Sequence, residues 1–230
     1  KIIGIKGPIY KKKLKTILNL NQKARTQIRY LKKKYVKICA FQTRNIPHLG
    51  HEKIIKKLLL KFRHVVINPV IGPKKNGDVR CEVLSDAFNF LIKNKYKNKL
   101  SFVPIFANMF YAGPFEAIHH ANLRKSFGFN NFVIGRDHAG AENLYKPDGA
   151  IKLIKKIRHK MKLNVISLNG AYLCSKCKKI IIKGDCKHKD LINISGTEFR
   201  KCLLSGKIYK YADIDMQKFL RKYKKITEDD

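Results

Sequence analysis

Hydrophobic and polar positions follow two periodicities along most of this chain. Short apolar runs predict buried strands over 35–41, 64–70, 101–106, 131–135 and 163–168. Between them, apolar residues recur at helical spacing and predict helices over 50–62, 83–92, 114–126 and 148–160. Strands that alternate with helices indicate an α/β fold with a largely parallel sheet and flanking helices. In such sheets, ligands bind beyond the carboxyl ends of the strands.

The two ends of the chain differ from this middle part. Residues 1–34 are polar and basic, and their helical pattern is weak, so we expect a lead-in to the domain. Residues 171–230 carry a cysteine cluster and a further helix start. We therefore predict three parts: the lead-in (1–34), an α/β domain (35–170), and a cysteine-bearing part with C-terminal helices (171–230).

Composition excludes several classes of protein. The 230 residues are 44% hydrophobic, which is too high for a disordered tail and sufficient for a sizeable core. No apolar run approaches the roughly 18 to 20 residues that cross a bilayer. The amino terminus has no long apolar segment after its charges, so we expect neither a membrane protein nor a signal peptide. Clustered cysteines favour a metal site in a reducing compartment, and hence the cytoplasm.

The net charge is +35, from 51 basic and 16 acidic residues. Such a charge attracts polyanions, including nucleic acid, and also small anionic substrates. However, the lysines accompany many Asn, Ile, Phe and Tyr residues, as AT-rich codons would produce, and they are spread along the chain. The charge alone therefore does not identify the partner, and we do not expect nucleic acid to be the main one.

The segment FQTRNIPHLGHE (41–52) lies at the turn from the first strand into the first helix. His48 and His51 are three residues apart with Gly50 between them, so they share a face beside the free N–H groups of a helix start. Two imidazoles there can donate to phosphate oxygens while a pyrophosphate leaves. Gln42 and Arg44 offer donors that suit a tetrahedral oxyanion.

Two further segments place polar residues at element ends. GRDHAG (135–140) follows a strand, and its Asp137 can accept from ribose hydroxyls or an adenine amino group while Arg136 meets an anion. In ISGTEFRK (194–201), Ser195 and Glu198 have the form of a capping box, and small hydroxyl residues at a helix start also suit phosphates. A polar loop and a plain helix cap are the structural alternatives.

The segment YLCSKCKKIIIKGDCKH (172–188) spaces Cys174, Cys177, Cys186 and His188 as a metal knuckle. Three thiolates and one imidazole satisfy tetrahedral Zn²⁺, and a closed set of four ligands is structural. The other three cysteines do not fit this set and are expected to be packing residues: Cys39, Cys81 and Cys202. We also interpret His119 and His120 as surface or packing residues, and we leave open whether Lys74 and Lys75 touch phosphates or lie in a solvated loop.

Taken together, these motifs resemble the ATP sulfurylase (sulfate adenylyltransferase) family over about residues 35–222. The match runs through QTRN with its two histidines (42–51), GP/K/GD (72–78), YAGP-x-EA (111–117), GRDHAG and ISGTEFR, in the family's order. The cysteine knuckle is similar to that of the zinc-containing prokaryotic branch.

The resemblance implies a Rossmann-like nucleotidyltransferase fold of the HxGH type, with residues 35–170 as the catalytic domain. It also implies that 1–34 is the linker from a β-rich amino-terminal domain. Implied site residues fall into three groups. The catalytic set would be Thr43, Arg44 and Asn45. Sulfate would meet Gln42, Arg44, Arg136 and Ala139. ATP would meet residues 42–45, His48, His51, Gly135, Arg136, Asp137, His138, Ser195 and Thr197.

The implied reaction is the reversible conversion of ATP and sulfate to adenylyl sulfate and pyrophosphate, with Mg²⁺ bound to ATP and a structural Zn²⁺. Sulfate is already ionised, so the in-line attack needs positioning and screening of anions but no general base. The family's role is sulfate assimilation or the reverse flux in sulfur oxidation. Homo-oligomers and a fused or partner adenylyl-sulfate kinase are further expectations, although no kinase P-loop is present in these residues.

This chain departs from the family pattern at a few positions. Ile46 and Pro47 replace the usual Pro-x, and Phe110 and Phe115 stand where basic residues are common. Two alternatives therefore remain: a related HxGH-type nucleotidyltransferase with another acceptor, and a non-catalytic zinc-knuckle module that binds nucleic acid.

Overall fold

A parallel sheet of five short strands forms the centre of the computed structural model, which describes residues 8–136, 138, 144–146 and 148–228. The strands are β1 (Ile38–Phe41), β2 (His64–Ile67), β3 (Leu100–Phe102), β4 (Asn131–Ile134) and β5 (Asn164–Ser167). Their order is β3-β2-β1-β4-β5, and every neighbouring pair is parallel. All residues of β1 and β2 are buried, as expected for strands covered on both faces.

All five predicted strands are present, but they are shorter than the apolar runs. The run 64–70 ends as a strand at Ile67, just before Asn68 and Pro69, and the run 101–106 ends before Pro104. Proline has no N–H to donate to a neighbouring strand, so a central ladder stops near it. Beyond these points the two segments keep one isolated parallel bridge, between Val70 and Ile105, and the chain then forms the loops of the site.

Seven α-helices flank the sheets in the described chain. They are α1 (Pro8–Tyr35), α2 (Leu49–Leu59), α3 (Cys81–Asn94), α4 (Pro114–Ser126), α5 (Gly149–Ile157), α6 (Gly196–Leu204) and α7 (Ile214–Leu220). The helices contribute to two buried hydrophobic clusters, one on each face of the parallel sheet. One cluster contains residues of α2, α3, α6 and α7, and the other contains residues of α1, α4 and α5. The α/β architecture with flanking helices is thus confirmed. None of the described helices combines the length and the apolar character that spanning a membrane requires.

Helix α1 is the main element that the hydrophobic pattern underestimated. Its second half buries Ala24, Ile28 and Leu31 against the sheet, at the spacing of one helix face. The Nζ of Lys32 donates to the carbonyl oxygen of Gly128 at 2.8 Å. The end of the predicted lead-in is therefore packed on the domain, while the domain boundary at residue 34 stays a prediction.

A second, antiparallel sheet forms the predicted knuckle region. It consists of β6 (Ala171–Cys174), β7 (Lys179–Ile182) and β8 (Leu191–Asn193), in the order β7-β6-β8. This sheet lies against α2: the Nζ of Lys57 is 2.6 Å from Oδ1 of Asp185, and a Cβ on Gly50 would lie 3.4 Å from that of Ala171. The small sheet thus supports the helix that carries both histidines of the first motif.

The sheet order places a crevice between β1 and β4. The chain moves from β1 outward through β2 to β3, then returns to place β4 on the other side of β1. The helices that follow β1 and the helices that flank β4 lie on opposite faces. Such a switch in direction opens a crevice at the carboxyl ends of the two strands, where ligands of open α/β sheets bind.

Candidate active site

A cavity of about 140 Å³ lies in this crevice. Its walls come from the chain just after β1, the loop before α4, and the chain just after β4. The lining residues are Phe41, Gln42, Thr43, Arg44, Asn45, Met109, Gly135, Arg136 and His138. Two motifs that are about 90 residues apart in the sequence are therefore brought together, as the sequence predicted. Asp137 and Ala139, which were also predicted at this site, lie outside the described residues.

His48 and His51 form a reciprocal cap at the start of α2. The N–H of Gly50 donates to Nδ1 of His48 at 3.1 Å, and the N–H of His48 donates to Nδ1 of His51 at 3.3 Å. Both rings therefore carry their proton on Nε2, because each Nδ1 is used as an acceptor. Ile46, which departs from the family pattern, is 1% exposed and packs in the core, and the rings of His48 and His51 lie 4.0 Å apart, centroid to centroid.

Both histidines are neutral in the folded chain. Burial lowers the pKa of His48 to about 4, although its hydrogen bond with backbone opposes the shift. Burial and the neighbouring His48 hold the pKa of His51 well below its usual value. The two rings can thus act as hydrogen-bond donors, and they do not act as cations. The Nε2 of His51 lies 3.1 Å from Oγ1 of Thr43, so His51 contacts a residue of the cavity wall.

Arg44 is held over the cavity by two residues of the matched motifs to which the sequence analysis gave no role in the site. Its Nη1 lies 3.4 Å from Oδ1 of Asp78, and its guanidinium carbon lies 5.5 Å from the centre of the Tyr111 ring. The Tyr111 hydroxyl donates to Asp78 at 2.8 Å and accepts from the N–H of Lys75 at 2.9 Å. Burial raises the pKa of Tyr111 to about 12, so the hydroxyl keeps its proton.

The loop that carries Tyr111 has an unusual backbone. Tyr111 has φ +54°, a left-handed conformation that costs energy for an aromatic residue and that persists only when its surroundings impose it. Two residues later, Gly113 has φ +53°, and a Cβ there would overlap the ring of Tyr145. The YAGP sequence thus fixes Tyr111 beneath Arg44.

The ISGTEFR segment meets the QTRN segment through Asn45. The Oγ of Ser195 accepts from the N–H of Glu198 at 3.2 Å and caps α6, as predicted. From the second turn of that helix, Arg200 donates to Oδ1 of Asn45 at 2.8 Å and to Oγ1 of Thr197 at 3.2 Å. Arg200 therefore connects Thr197 of α6 with Asn45 of the QTRN segment.

Gln42 contains an unsatisfied polar atom at the cavity. Its Oε1 is buried and has no hydrogen-bond partner among the described residues. Buried polar atoms without partners are rare in folded proteins and require an explanation. Rotating the side-chain amide of Gln42 by half a turn exchanges its oxygen and its NH₂ group. The NH₂ group then offers two N–H donors at this position, as a bound oxyanion requires.

The cysteine cluster has the dimensions of a zinc site. The Sγ of Cys186 lies 3.8 Å from that of Cys174, and Nδ1 of His188 lies 3.5 Å and 3.2 Å from Sγ of Cys174 and Cys177. A tetrahedral Zn²⁺ with Zn–S bonds of about 2.3 Å has S···S edges of about 3.8 Å. The N–H of Cys177 lowers the pKa of the Cys174 thiol to about 6, which favours the thiolate that zinc binds. All four donor atoms lie within 4.8 Å of one another, so the residues fit the metal.

Other predicted residues have structural roles. The side chain of Lys74 is buried, and its Nζ donates to the carbonyl oxygen of Val79. Cys39 is fully buried in β1 as expected, whereas Cys81 and Cys202 are only half-buried on α3 and α6. His120 is fully buried, which agrees with a packing residue.

Comparison with known proteins agrees with this geometry. A model of the ATP-sulfurylase family matches residues 19–222. The chain is 40% identical over 185 residues to a sulfate adenylyltransferase from Ignicoccus hospitalis, which covers 79% of this chain and 48% of that protein. It is 33% identical over 195 residues to one from Carboxydothermus hydrogenoformans, which covers 82% and 51%.

A solved structure shares the fold. The hexameric APS kinase from Thiobacillus denitrificans superposes with a TM-score of 0.60 at 15% identity, over 86% of this chain and 38% of that one. At this identity the likeness concerns the fold alone. This chain spans about half the length of the curated relatives that it matches.

Proposed function

Because this chain belongs to the ATP-sulfurylase family, we propose that it performs the adenylyl transfer of a sulfate adenylyltransferase, from ATP to sulfate with release of pyrophosphate. The observation that carries the proposal is the convergence of Gln42–Asn45 and Gly135–Arg136 on one cavity at the crevice between β1 and β4. A site for two anions at this position requires cationic and N–H donors on both walls, and Arg44 and Arg136 supply one cation from each.

Sulfate is proposed to bind between the two arginines. Gln42, Arg44, Arg136 and the backbone of Ala139 would hold it, and the buried, unpaired amide oxygen of Gln42 supports this assignment after the amide turns. The guanidinium of Arg136 lies over the ring of Tyr172, with its carbon 5.1 Å from the ring centre. A guanidinium that lies over an aromatic face can still donate from the N–H groups at its edge.

ATP is proposed to occupy the neighbouring space beside the start of α2. His48 and His51 would face the β- and γ-phosphates, with residues 42–45, 135–138, Ser195 and Thr197 completing the site. The Nδ1 of His48 accepts the N–H of Gly50, so its Nε2–H is the donor proposed for a phosphate oxygen. Neutral donors at a helix amino terminus stabilise charge that develops on a leaving group without a proton transfer.

The chemistry needs no general base. A lone pair of a sulfate oxygen attacks the α-phosphorus, the bond from that phosphorus to the bridging oxygen of the β-phosphate breaks, and pyrophosphate leaves with the electron pair. Thr43, Arg44 and Asn45 would position the α-phosphate for this in-line step. Positioning two anions and screening their charges accounts for the catalysis, as in other phosphoryl-type transfers.

Two metal ions belong to the proposal. Mg²⁺ would enter with ATP and neutralise charge on its phosphates. Zn²⁺ would be structural, held by Cys174, Cys177, Cys186 and His188, which form the one group of described residues with a metal-binding arrangement of three or more ligands. The cytoplasmic location, homo-oligomers, and a fused or partner adenylyl-sulfate kinase remain predictions.

Pyrophosphate exchange tests the proposed function. The purified chain, given Mg²⁺ and ATP, should incorporate labelled pyrophosphate into ATP only when sulfate is present, because the exchange requires the reaction to run in both directions. Exchange that is independent of sulfate would indicate another acceptor and would contradict the proposal. Absence of exchange under all conditions would show that this chain does not perform the step alone.

A further inference from the structure

A buried chain of three ionisable groups runs behind the cavity wall. Glu116 and His120 lie on α4, and His138 follows β4, with exposed fractions of 1%, 0% and 9%. Oε1 of Glu116 lies 3.0 Å from Nε2 of His120, and Nδ1 of His120 lies 3.0 Å from Nε2 of His138. Only His138 also lines the cavity, so the other two groups act on a ligand through it.

The proton positions along this chain follow from the charges of its members. Burial raises the pKa of the Glu116 carboxyl, but the interaction with His120 and hydrogen bonds from the N–H groups of Phe110 and Ala112 outweigh it, so the net shift is downward and Glu116 is a carboxylate. Burial lowers the pKa of His120 to about 4, so that ring is neutral. The Nε2 of His120 lies 3.0 Å from a carboxylate oxygen without the geometry of a hydrogen bond, and an unprotonated Nε2 would bring two lone pairs together there. The proton of the neutral ring is therefore assigned to Nε2, so Nδ1 is unprotonated and must accept.

The same reasoning extends to the third member. Burial, His120, Arg124 and Arg44 hold the pKa of His138 well below its usual value, so it is neutral as well. Since Nδ1 of His120 accepts, Nε2 of His138 must donate. The remaining nitrogen of His138, Nδ1, is therefore unprotonated.

We propose that Glu116 and His120 are positioning residues that lock His138 as the Nε2–H tautomer, so that His138 offers the nucleotide an acceptor nitrogen. The inference rests on the proposed function in taking the cavity as a nucleotide site. An acceptor cannot pair with phosphate or sulfate oxygens, which are acceptors too. His138 thus binds a neutral donor, namely a hydroxyl or amino group of the nucleoside, and the anions are left to the arginines.

The carboxylate of Glu116 also joins this chain to the Arg44 side of the cavity. Its two oxygens accept the N–H of Phe110 at 3.2 Å and the N–H of Ala112 at 3.3 Å. These two groups bracket Tyr111, whose left-handed backbone carries the ring beneath Arg44. One buried carboxylate therefore fixes both the nucleoside acceptor and the loop beside the oxyanion site.

Nitrogen-15 NMR of the histidine rings tests the tautomer directly on the unmodified chain. Long-range ¹H–¹⁵N spectra at neutral pH should show His138 with a protonated Nε2 and an unprotonated Nδ1. Adding MgATP should shift the Nδ1 signal of His138, and adding inorganic sulfate alone should not. A protonated Nδ1 on His138, or a larger response to sulfate than to MgATP, would overturn the proposal whether or not the chain proves to be a sulfate adenylyltransferase.

Variants of His120 separate positioning from packing. His120→Leu removes the acceptor and should release the His138 tautomer, with the Kd or KM for ATP raised about tenfold, the value of one hydrogen bond, and the KM for sulfate unchanged. His120→Gln restores an acceptor of similar length and should recover most of the loss. The matched control is His119→Gln, because His119 is the exposed neighbour on the same helix. A His120→Leu protein that keeps the tautomer and the ATP affinity would refute the role of His120.

Discussion

Arg200 donates from Nη1 to Oδ1 of Asn45 at 2.8 Å, and the two residues are 155 positions apart. The contact is reinforced by close packing, because a Cβ on Gly196 would lie 3.1 Å from Cγ of Asn45. Asn45 is thus clamped between a glycine and an arginine of the same helix start. Through these two contacts, the segment ISGTEFR fixes the side-chain amide of Asn45.

Replacing Arg200 with Gln should lower kcat about tenfold or more. A hydrogen bond to a charged donor is worth about 1.5–3 kcal/mol, and its loss releases the side chain of Asn45. Steady-state kinetics of the exchange reaction would measure the effect. Lys201→Gln is the matched control, since Lys201 is the exposed cation next to it on α6. Equal kinetics for the two variants would remove Arg200 from the site.

Arg44→Ala should reduce kcat by about 100-fold or more while the fold is retained, because Arg44 supplies the cation at the end of β1. Arg63→Ala removes an exposed arginine that follows α2 and should be silent. Activity and thermal unfolding should be measured on both proteins. Near-normal kcat in Arg44→Ala would exclude a catalytic role for this guanidinium.

His51→Asn should lower kcat more than about tenfold, because both ring nitrogens of His51 are used. Nδ1 holds the N–H of His48 and Nε2 contacts Thr43, so the shorter amide cannot keep both contacts. Separate titrations of ATP and sulfate would locate the effect. A change confined to the KM for sulfate would contradict a role on the pyrophosphate side.

Acid should destabilise this chain between about pH 6.5 and pH 4. Burial lowers the pKa of His48 and of His120 to about 4, whereas an unfolded histidine titrates near 6.5. The unfolded state therefore binds more protons in this window, and stability is lost as the pH falls through it. Each residue contributes a loss of about 2 kcal/mol at pH 5 relative to pH 7.5.

Urea unfolding at pH 7.5, 6 and 5 would measure this loss. His159 is exposed and lies in the turn after α5, so His159→Gln should leave the pH dependence unchanged. A free energy of unfolding that is constant from pH 7.5 to pH 5 would show that the buried histidines do not stay neutral.

Cys174→Ser should abolish zinc binding and lower Tm, since it removes one of four ligands from a closed site. Elemental analysis should find about one zinc per chain in the unmodified protein and none in the variant. Cys81→Ser changes a cysteine outside the cluster and should keep the metal. Unchanged zinc content in Cys174→Ser would disprove the knuckle.

The sequence predicted the fold well because its apolar runs have the right period. It predicted the segments of the site because rare residue combinations stand at strand and helix ends. It did not predict Asp78 and Tyr111 under Arg44, since such contacts depend on loop conformation and not on local pattern. His120 shows the same limit. The helical pattern of α4 is compatible with a buried His120. Its hydrogen bond with His138 depends on the packing of α4 against the chain around β4, which the local sequence does not show.

The sheet order also has a consequence for synthesis of the chain on the ribosome. β1, the central strand, pairs with β2 after residue 67 is available, but its other edge stays open until β4 at Asn131–Ile134 is made. During that interval a fully apolar edge strand can pair with another nascent chain. The order of translation therefore leaves open, until β4 is made, the edge of β1 that borders the crevice of the proposed ligand site.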